Sequence, residues 1–191
     1  MMNRTVKTFS QFILENEIES ISNSTSGDDI LKKYLSTIPD LIPIYKEIQT
    51  KLKDKFTAKH FEDEKAVSGG LKSVSGSLLP QTLSKFKALQ KELPGISYSE
   101  KSYRSYNLQK ETFLKYGYEH GNSISGALTQ AGLPGYSQHH TGKALDVSNY
   151  KNSKGVSLLT PEILKKHGFY LPYEKKSALR MAEPWHICLT S

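Results

Sequence analysis

The chain has a single cysteine, Cys188, among 191 residues. That excludes an internal disulfide and a C-x-x-C metal knuckle, so any metal centre must draw on His, Asp and Glu. No apolar run reaches the length of a membrane span. The start, MMNRTVKTFSQFILENE, is basic but has no continuous apolar stretch of signal-peptide length. The expectation is synthesis in the cytoplasm without a signal peptide, and no membrane insertion. Internal repeats are absent as well. Acidic residues are outnumbered by basic ones, 19 against 26, and the net charge of +7 favours polyanions such as nucleic acid, anionic membrane surface or acidic wall polymer. The lysines are scattered rather than gathered into one tract, which fits a solubilising surface, and no nucleic-acid partner is expected.

What is present is 37% hydrophobic and 24% charged, a balance that suits a folded protein with a real core. The first third is the more polar, so the core is expected in the later two thirds. Val6, Phe9, Phe12 and Ile13 stand at helical spacing before the polar NEIESISNSTSGDD, which reads as an amphipathic peptide and linker over residues 1–25. Residues 26–77 read as a helical extension, with apolar positions from Ile30 to Ile38 and from Ile44 to Leu52, closing in the Gly/Ser-rich joint SGGLKSVSGS. The boundary falls there, and 78–191 reads as the main domain. Pro80 opens a helix running to Leu93, ISYSEKSYRSY alternates like a strand, and NLQKETFLKYGYEHG reads as a helix ending at Gly121. KALDVSNY reads as a strand and TPEILKKHG as a short helix capped by Thr160. The class is α+β, with a sheet assembled late in the chain.

The stretch SQHHTGKALDVSNY, residues 137–150, sets His139 and His140 before Gly142 and places Asp146 in an apolar, strand-like run. A catalytic zinc site takes three ligands from His, Asp and Glu and keeps its fourth position for water or substrate. His139 and Asp146 offer two. AEPWHICLTS offers His186 for the third, with Glu183 three residues before it. Pro184 disfavours a helix there. On an ideal strand positions i and i+3 face opposite sides, so a kink must aim both residues at one centre. Taken singly, a His-Gly loop and a strand aspartate are ordinary loop and capping residues. Cys188 shares the strand face of His186 by period two and reads as a small buried apolar residue rather than a ligand or nucleophile.

Taken together the motifs form a known pattern. SQHHTGKALD fits S-x-H-x-x-G-x-A-x-D through Ser137, His139, Gly142, Ala144 and Asp146, and EPWH supplies Glu183, Trp185 and His186. SYRSYNLQ fits Y-R-S-x-x-x-Q through Tyr103, Arg104, Ser105 and Gln109. In these residues the chain resembles the zinc D-alanyl-D-alanine carboxypeptidases of the VanY type, within a wider group of peptidoglycan peptidases related to VanX and to phage L-alanyl-D-glutamate endopeptidases. The resemblance runs from about Pro80 to Ser191 and does not extend to residues 1–77. GLPGYS and HGFYLPY also match the family's surroundings, whereas the stretch between Asp146 and Glu183 is shorter than in typical members.

The resemblance implies a small antiparallel sheet with flanking helices carrying a zinc site, a hedgehog-like peptidase fold, preceded here by the helical extension. It implies that His139, Asp146 and His186 bind one zinc per chain, that Glu183 is the general acid/base, and that Arg104 faces the substrate. Ser137, Gln109, Tyr103 and Trp185 then orient the substrate or support the ligands. The implied activity is D-alanyl-D-alanine carboxypeptidase action on peptidoglycan stem peptides. An endopeptidase cutting the L-Ala-D-Glu bond or a cross-link is the alternative, and a non-catalytic zinc module binding wall polymer or DNA is the alternative of another class. Outside the motifs His140 reads as a variable loop residue, and His60, His120 and His167 as surface or capping residues. Tyr103, Tyr106, Tyr116 and Tyr118 read as half-buried packing, with a sugar-binding face as the other option.

A substrate outside the cytoplasmic membrane and the lack of a legible export signal are reconciled by a phage-encoded enzyme, released at lysis or carried in the virion. VKTFSQFILENE resembles the targeting peptides of T-even-like phage head proteins, which are cut after Ile/Leu-x-Glu, here Ile13, Leu14 and Glu15. Processing by a prohead protease is the corresponding expectation, with an ordinary helix packed on the domain as the alternative. The protein is expected to be a monomer.

Overall fold

A computed structural model describes residues 38, 40–175 and 180–190. The amphipathic peptide, its Ile13-Leu14-Glu15 site, the linker after it and nearly all of the helix expected from Asp28 lie outside the described residues. The described chain begins with α1 (Leu41–Leu52), whose Leu41, Ile44, Tyr45, Ile48 and Leu52 recur every three or four residues on one buried face. Thr57 opens α2 (Ala58–Ser68) through a capping box with His60, and Gly69 closes it in a left-handed conformation. Pro80 starts α3 (Pro80–Glu92) at the position where its missing N–H costs nothing. Ser105 caps α4 (Tyr106–Glu119) and Ser123 caps the short α5 (Ile124–Leu128). After the sheet's second strand, Thr160 caps α6 (Pro161–Lys166).

Four strands form one antiparallel sheet in the order β1-β2-β4-β3: β1 (Ser97–Tyr98), β2 (Ala144–Ser148), β3 (Phe169–Tyr170) and β4 (His186–Leu189). All four residues of β4 are buried, as befits an inner strand covered on both faces. The α+β class with a small antiparallel sheet and flanking helices is the observed one. The strand expected over residues 96–106 is much shorter. Ser97 and Tyr98 pair with β2 and Ser99 N–H still donates to Asp146 O at 2.9 Å, after which the Ser99 hydroxyl accepts Lys101 N–H and the chain enters a 3-10 turn, Glu100–Ser102. A serine hydroxyl that takes the N–H two residues on offers the backbone an alternative to the ladder, and here the strand ends.

Two apolar clusters hold the fold. One packs the sheet against α3 and α6 through Phe86, Leu89, Leu145, Val147, Leu164 and Ile187. The other joins Leu41, Ile48, Phe56 and Phe61 to Phe113, Leu128 and Tyr136. The expectation that the core lies in the later two thirds therefore needs correction, because α1, α2 and Phe56 in the link between them supply half of the second cluster. Tyr45 stacks edge-on to Phe56 at 4.9 Å and lies 5.3 Å from Phe61. The polar outer faces of these two helices dilute an apolar content that is concentrated on the inner faces. The Gly/Ser-rich stretch after α2 is coil, and it is tied down: Lys72 N–H donates to Gly135 O, Ser75 N–H to His140 O and Leu79 N–H to Gly142 O.

Candidate metal centre

Three elements bring the metal-type residues together. Ser137 opens a 3-10 turn (Gln138–Thr141) by accepting His139 N–H on its hydroxyl, and Gly142 ends it at φ 67. A side chain at Gly142 is barred twice, by that left-handed conformation and by Ser77 O, which a Cβ would meet at 2.3 Å. The turn points His139 inward, 4% exposed. Asp146 on β2 and His186 on β4 are direct cross-strand partners, so their side chains share one face of the sheet. The kink asked of EPWH is present as a turn in which His186 N–H donates to Glu183 O at 3.0 Å, while Glu183 N–H donates to Tyr173 O at 2.8 Å.

One nitrogen of His139, one of His186 and a carboxylate oxygen of Asp146 lie within 4.8 Å of one another, the one such cluster among the described residues. The orientations suit a cation. His139 Nδ1–H donates to Ser102 O at 2.6 Å, which leaves Nε2 facing Asp146 Oδ2 at 3.4 Å. His186 turns Nδ1 to Asp146 Oδ1 at 3.0 Å and Nε2 to Cys188 Sγ at 3.5 Å. Two imidazole nitrogens and a carboxylate form a donor set that suits zinc. Burial holds His139 well below the usual imidazole range, against the pull of Asp146. For Asp146 burial works upward, but His139, His186 and Arg104 outweigh it and hold the carboxyl well below its usual range. Burial also lowers His186, yet Cys188 and Asp146 raise it to about 10. Glu183 is pushed up, chiefly by burial, with His186 and Arg180 opposing.

Arg104, Ser137, Glu183 and Trp185 line one cleft together with the three cluster residues. Arg104 Nη2 pairs with Asp146 Oδ2 at 2.7 Å, Nη1 donates to Gln109 Oε1 at 3.3 Å, and Nε donates to Lys101 O. Gln109 is fully buried behind the cleft, its amide donating to Gly132 O at 2.7 Å. Tyr103 stands apart from the lining residues, its hydroxyl accepting Gly76 N–H. His140 is not the loop residue expected. It is fully buried, donates from Nδ1 to Arg104 O at 2.6 Å and accepts Gly135 N–H on Nε2 at 3.0 Å, so it clamps the Arg104 backbone to the loop before the metal turn. Ser102 also escaped sequence reasoning, although it fixes two cluster residues at once: its carbonyl takes His139, and its hydroxyl accepts Asp146 N–H at 3.0 Å. The only signal was its place beside the Tyr103–Arg104 motif.

Two sheet residues, Asp146 and His186, and His139 of the adjoining 3-10 turn form a cluster able to hold one metal ion, with the half-buried Glu183 in the same cleft. The family model VanY, D-alanyl-D-alanine carboxypeptidase, matches residues 77–190, and the chain belongs to that family. No curated protein sequence matches the chain. Among solved structures it is similar to the LdcB LD-carboxypeptidase, 27% identical over 59% of this chain and 66% of that one, with a TM-score of 0.48. It is similar also to DacB from Streptococcus pneumoniae D39, 27% identical over 60% of this chain and 67% of that one, TM-score 0.45. A vancomycin-resistance D,D-pentapeptidase VanY from a VanB-type cassette, in complex with Zn(II), is 20% identical over 63% of this chain and 78% of that one, TM-score 0.45. The chain spans just under two thirds of the LdcB protein.

Proposed function

We propose that the protein is a zinc metallopeptidase that trims peptidoglycan stem peptides as a D-alanyl-D-alanine carboxypeptidase. The observation that carries this reading is the convergence of His139, Asp146 and His186 on one point of a cleft that Glu183 and Arg104 also line. His139 through Nε2, Asp146 through its carboxylate and His186 through Nδ1 are the proposed ligands of one zinc. A bound zinc supplies a Lewis acid that polarises the scissile carbonyl and acidifies water. Glu183, with its pKa raised by burial, takes the proton of the attacking water and returns it to the leaving amine. Trp185 and Ser137 line the same cleft.

Arg104 decides the substrate class. Its bonds to Lys101 O, Gln109 and Asp146 use three N–H groups of a five-donor fork, leaving one on each terminal nitrogen among the described residues. A planar fork held in place this way suits a terminal carboxylate, which a carboxypeptidase substrate has and an internal peptide bond lacks. The test is the turnover of a stem pentapeptide with a free C-terminus against the same peptide amidated. The free peptide is cleaved and the amidated one poorly. Equal rates contradict the carboxypeptidase reading and favour the endopeptidase one.

A further inference from the structure

Upstream of the family match, α2 sends one carboxylate into the interior. Glu64 is fully buried, and both of its oxygens lie 2.7 Å from Nη2 of Arg180, itself 5% exposed. A carboxylate and a guanidinium taken this far from water depend on each other for compensation. Gly132 makes their room, for a Cβ there would stand 3.0 Å from Arg180 Nη2 and 3.1 Å from Glu64 Oε1. Arg180 begins the irregular strap 180–185 that carries Glu183 and Trp185 into His186, and it lines the same cleft as Glu183 and Arg104. Backbone bonds hold the strap as well, among them Met181 N–H to Thr129 O, Glu183 N–H to Tyr173 O and Val147 N–H to Trp185 O.

Two chains of contact run from this pair to the centre. The Arg180 guanidinium lies over the Tyr173 ring at 5.3 Å, and that ring lies 5.3 Å from His186. On the other side Gly132 O accepts the Gln109 amide, whose oxygen accepts from Arg104. The arrangements around both arginines of the cleft therefore meet at Gly132.

We propose that Glu64 is a positioning residue of the active site: through Arg180 it fixes the strap that bears Glu183, so a helix outside the carboxypeptidase match completes the catalytic cleft. This rests on the peptidase reading above. Glu64 acts through the charge that keeps Arg180 docked against α2 rather than drawn to the carboxylate of Glu183.

Two variants and an activity-independent probe test the role. Glu64→Gln keeps the shape of the side chain and removes its charge. Glu64→Leu combined with Arg180→Met removes both buried charges in groups of similar volume, a change that buried pairs often tolerate. The single tryptophan, Trp185, sits in the strap and reports its order through acrylamide quenching. Glu64→Gln is expected to keep one zinc per chain, to lower kcat on a stem pentapeptide about tenfold or more with little change in KM, and to raise Trp185 quenching. The double variant is expected to recover the thermal midpoint but neither kcat nor the native quenching. Wild-type kcat and quenching in Glu64→Gln overturn the proposal. So does a double variant in which both return with the thermal midpoint, since the pair is then structural only. If Glu64→Gln does not fold, the double variant decides. A wild-type protein without peptidase activity refutes the functional reading instead, and the quenching comparison then decides the role of Glu64.

Discussion

Asp146 answers to five neighbours: Ser102 takes its backbone N–H, its carbonyl accepts Ser99 N–H, and its carboxylate meets Arg104, His139 and His186. Each of the three proposed ligands has its other side occupied, His139 by Ser102 O and His186 by Cys188 Sγ, so their orientation is set by the protein. His139→Ala, Asp146→Ala and His186→Ala should each drop zinc well below one per chain by elemental analysis. Glu183→Ala should keep the metal and lose turnover by about 10²-fold or more. Full zinc in all three ligand variants contradicts the ligand set, and a near-native rate in Glu183→Ala contradicts its role. At this scale the spacing of His139, Asp146, Glu183 and His186 was legible because the motif residues meet at one cleft. Ser102 and His140 were not, because they work through backbone atoms, His140 holding the carbonyl of Arg104 and the N–H of Gly135. Backbone partners leave no pattern in the sequence.

The turn Gln138–Thr141 and the coil after α2 act as one piece of structure. Ser75 N–H, Leu79 N–H and the Thr82 hydroxyl all end on carbonyls of His140 or Gly142, and Gly142 is where the two backbones touch. Gly142→Ala should cost more than about 1 kcal/mol by chemical denaturation, because its left-handed φ disfavours a side chain and Ser77 O would have to move. Zinc affinity should fall with it as His139 is displaced. A variant of native stability and affinity contradicts the coupling of coil and turn. Two helix starts were legible at this scale, since Pro80 and Thr160 stand where capping chemistry wants them, whereas the Ser105 cap of α4 fell inside the stretch read as a strand. The long strand over residues 96–106 was misread because alternation alone does not reveal that Ser99 caps a turn. The short strand His186–Leu189 was legible in part. Its period put Cys188 on the face of His186, and the two side chains do meet at 3.5 Å.

For the molecule as a whole, the helical extension is joined to the main domain by a common core. Leu41, Ile48 and Phe61 bury against Phe113, Leu128 and Tyr136, and Glu64 reaches the wall of the cleft through Arg180. A protein cut to residues 77–191 uncovers that apolar face, and it should be aggregation-prone and lack a cooperative thermal transition. A soluble, cooperatively folding fragment contradicts the shared core. Composition hid this joint role, since the first third is polar on average while its inward positions are not. The central claim is that the His139–Asp146–His186 centre with Glu183 removes the last residue of a stem peptide. Mass spectrometry of muropeptides digested by the zinc-loaded protein tests it most directly, with Glu183→Ala alongside. The account predicts pentapeptide stems shortened by one alanine residue, and no such product from Glu183→Ala. Intact stems, stems cut at an internal bond, or the same product from the Glu183→Ala protein would contradict it.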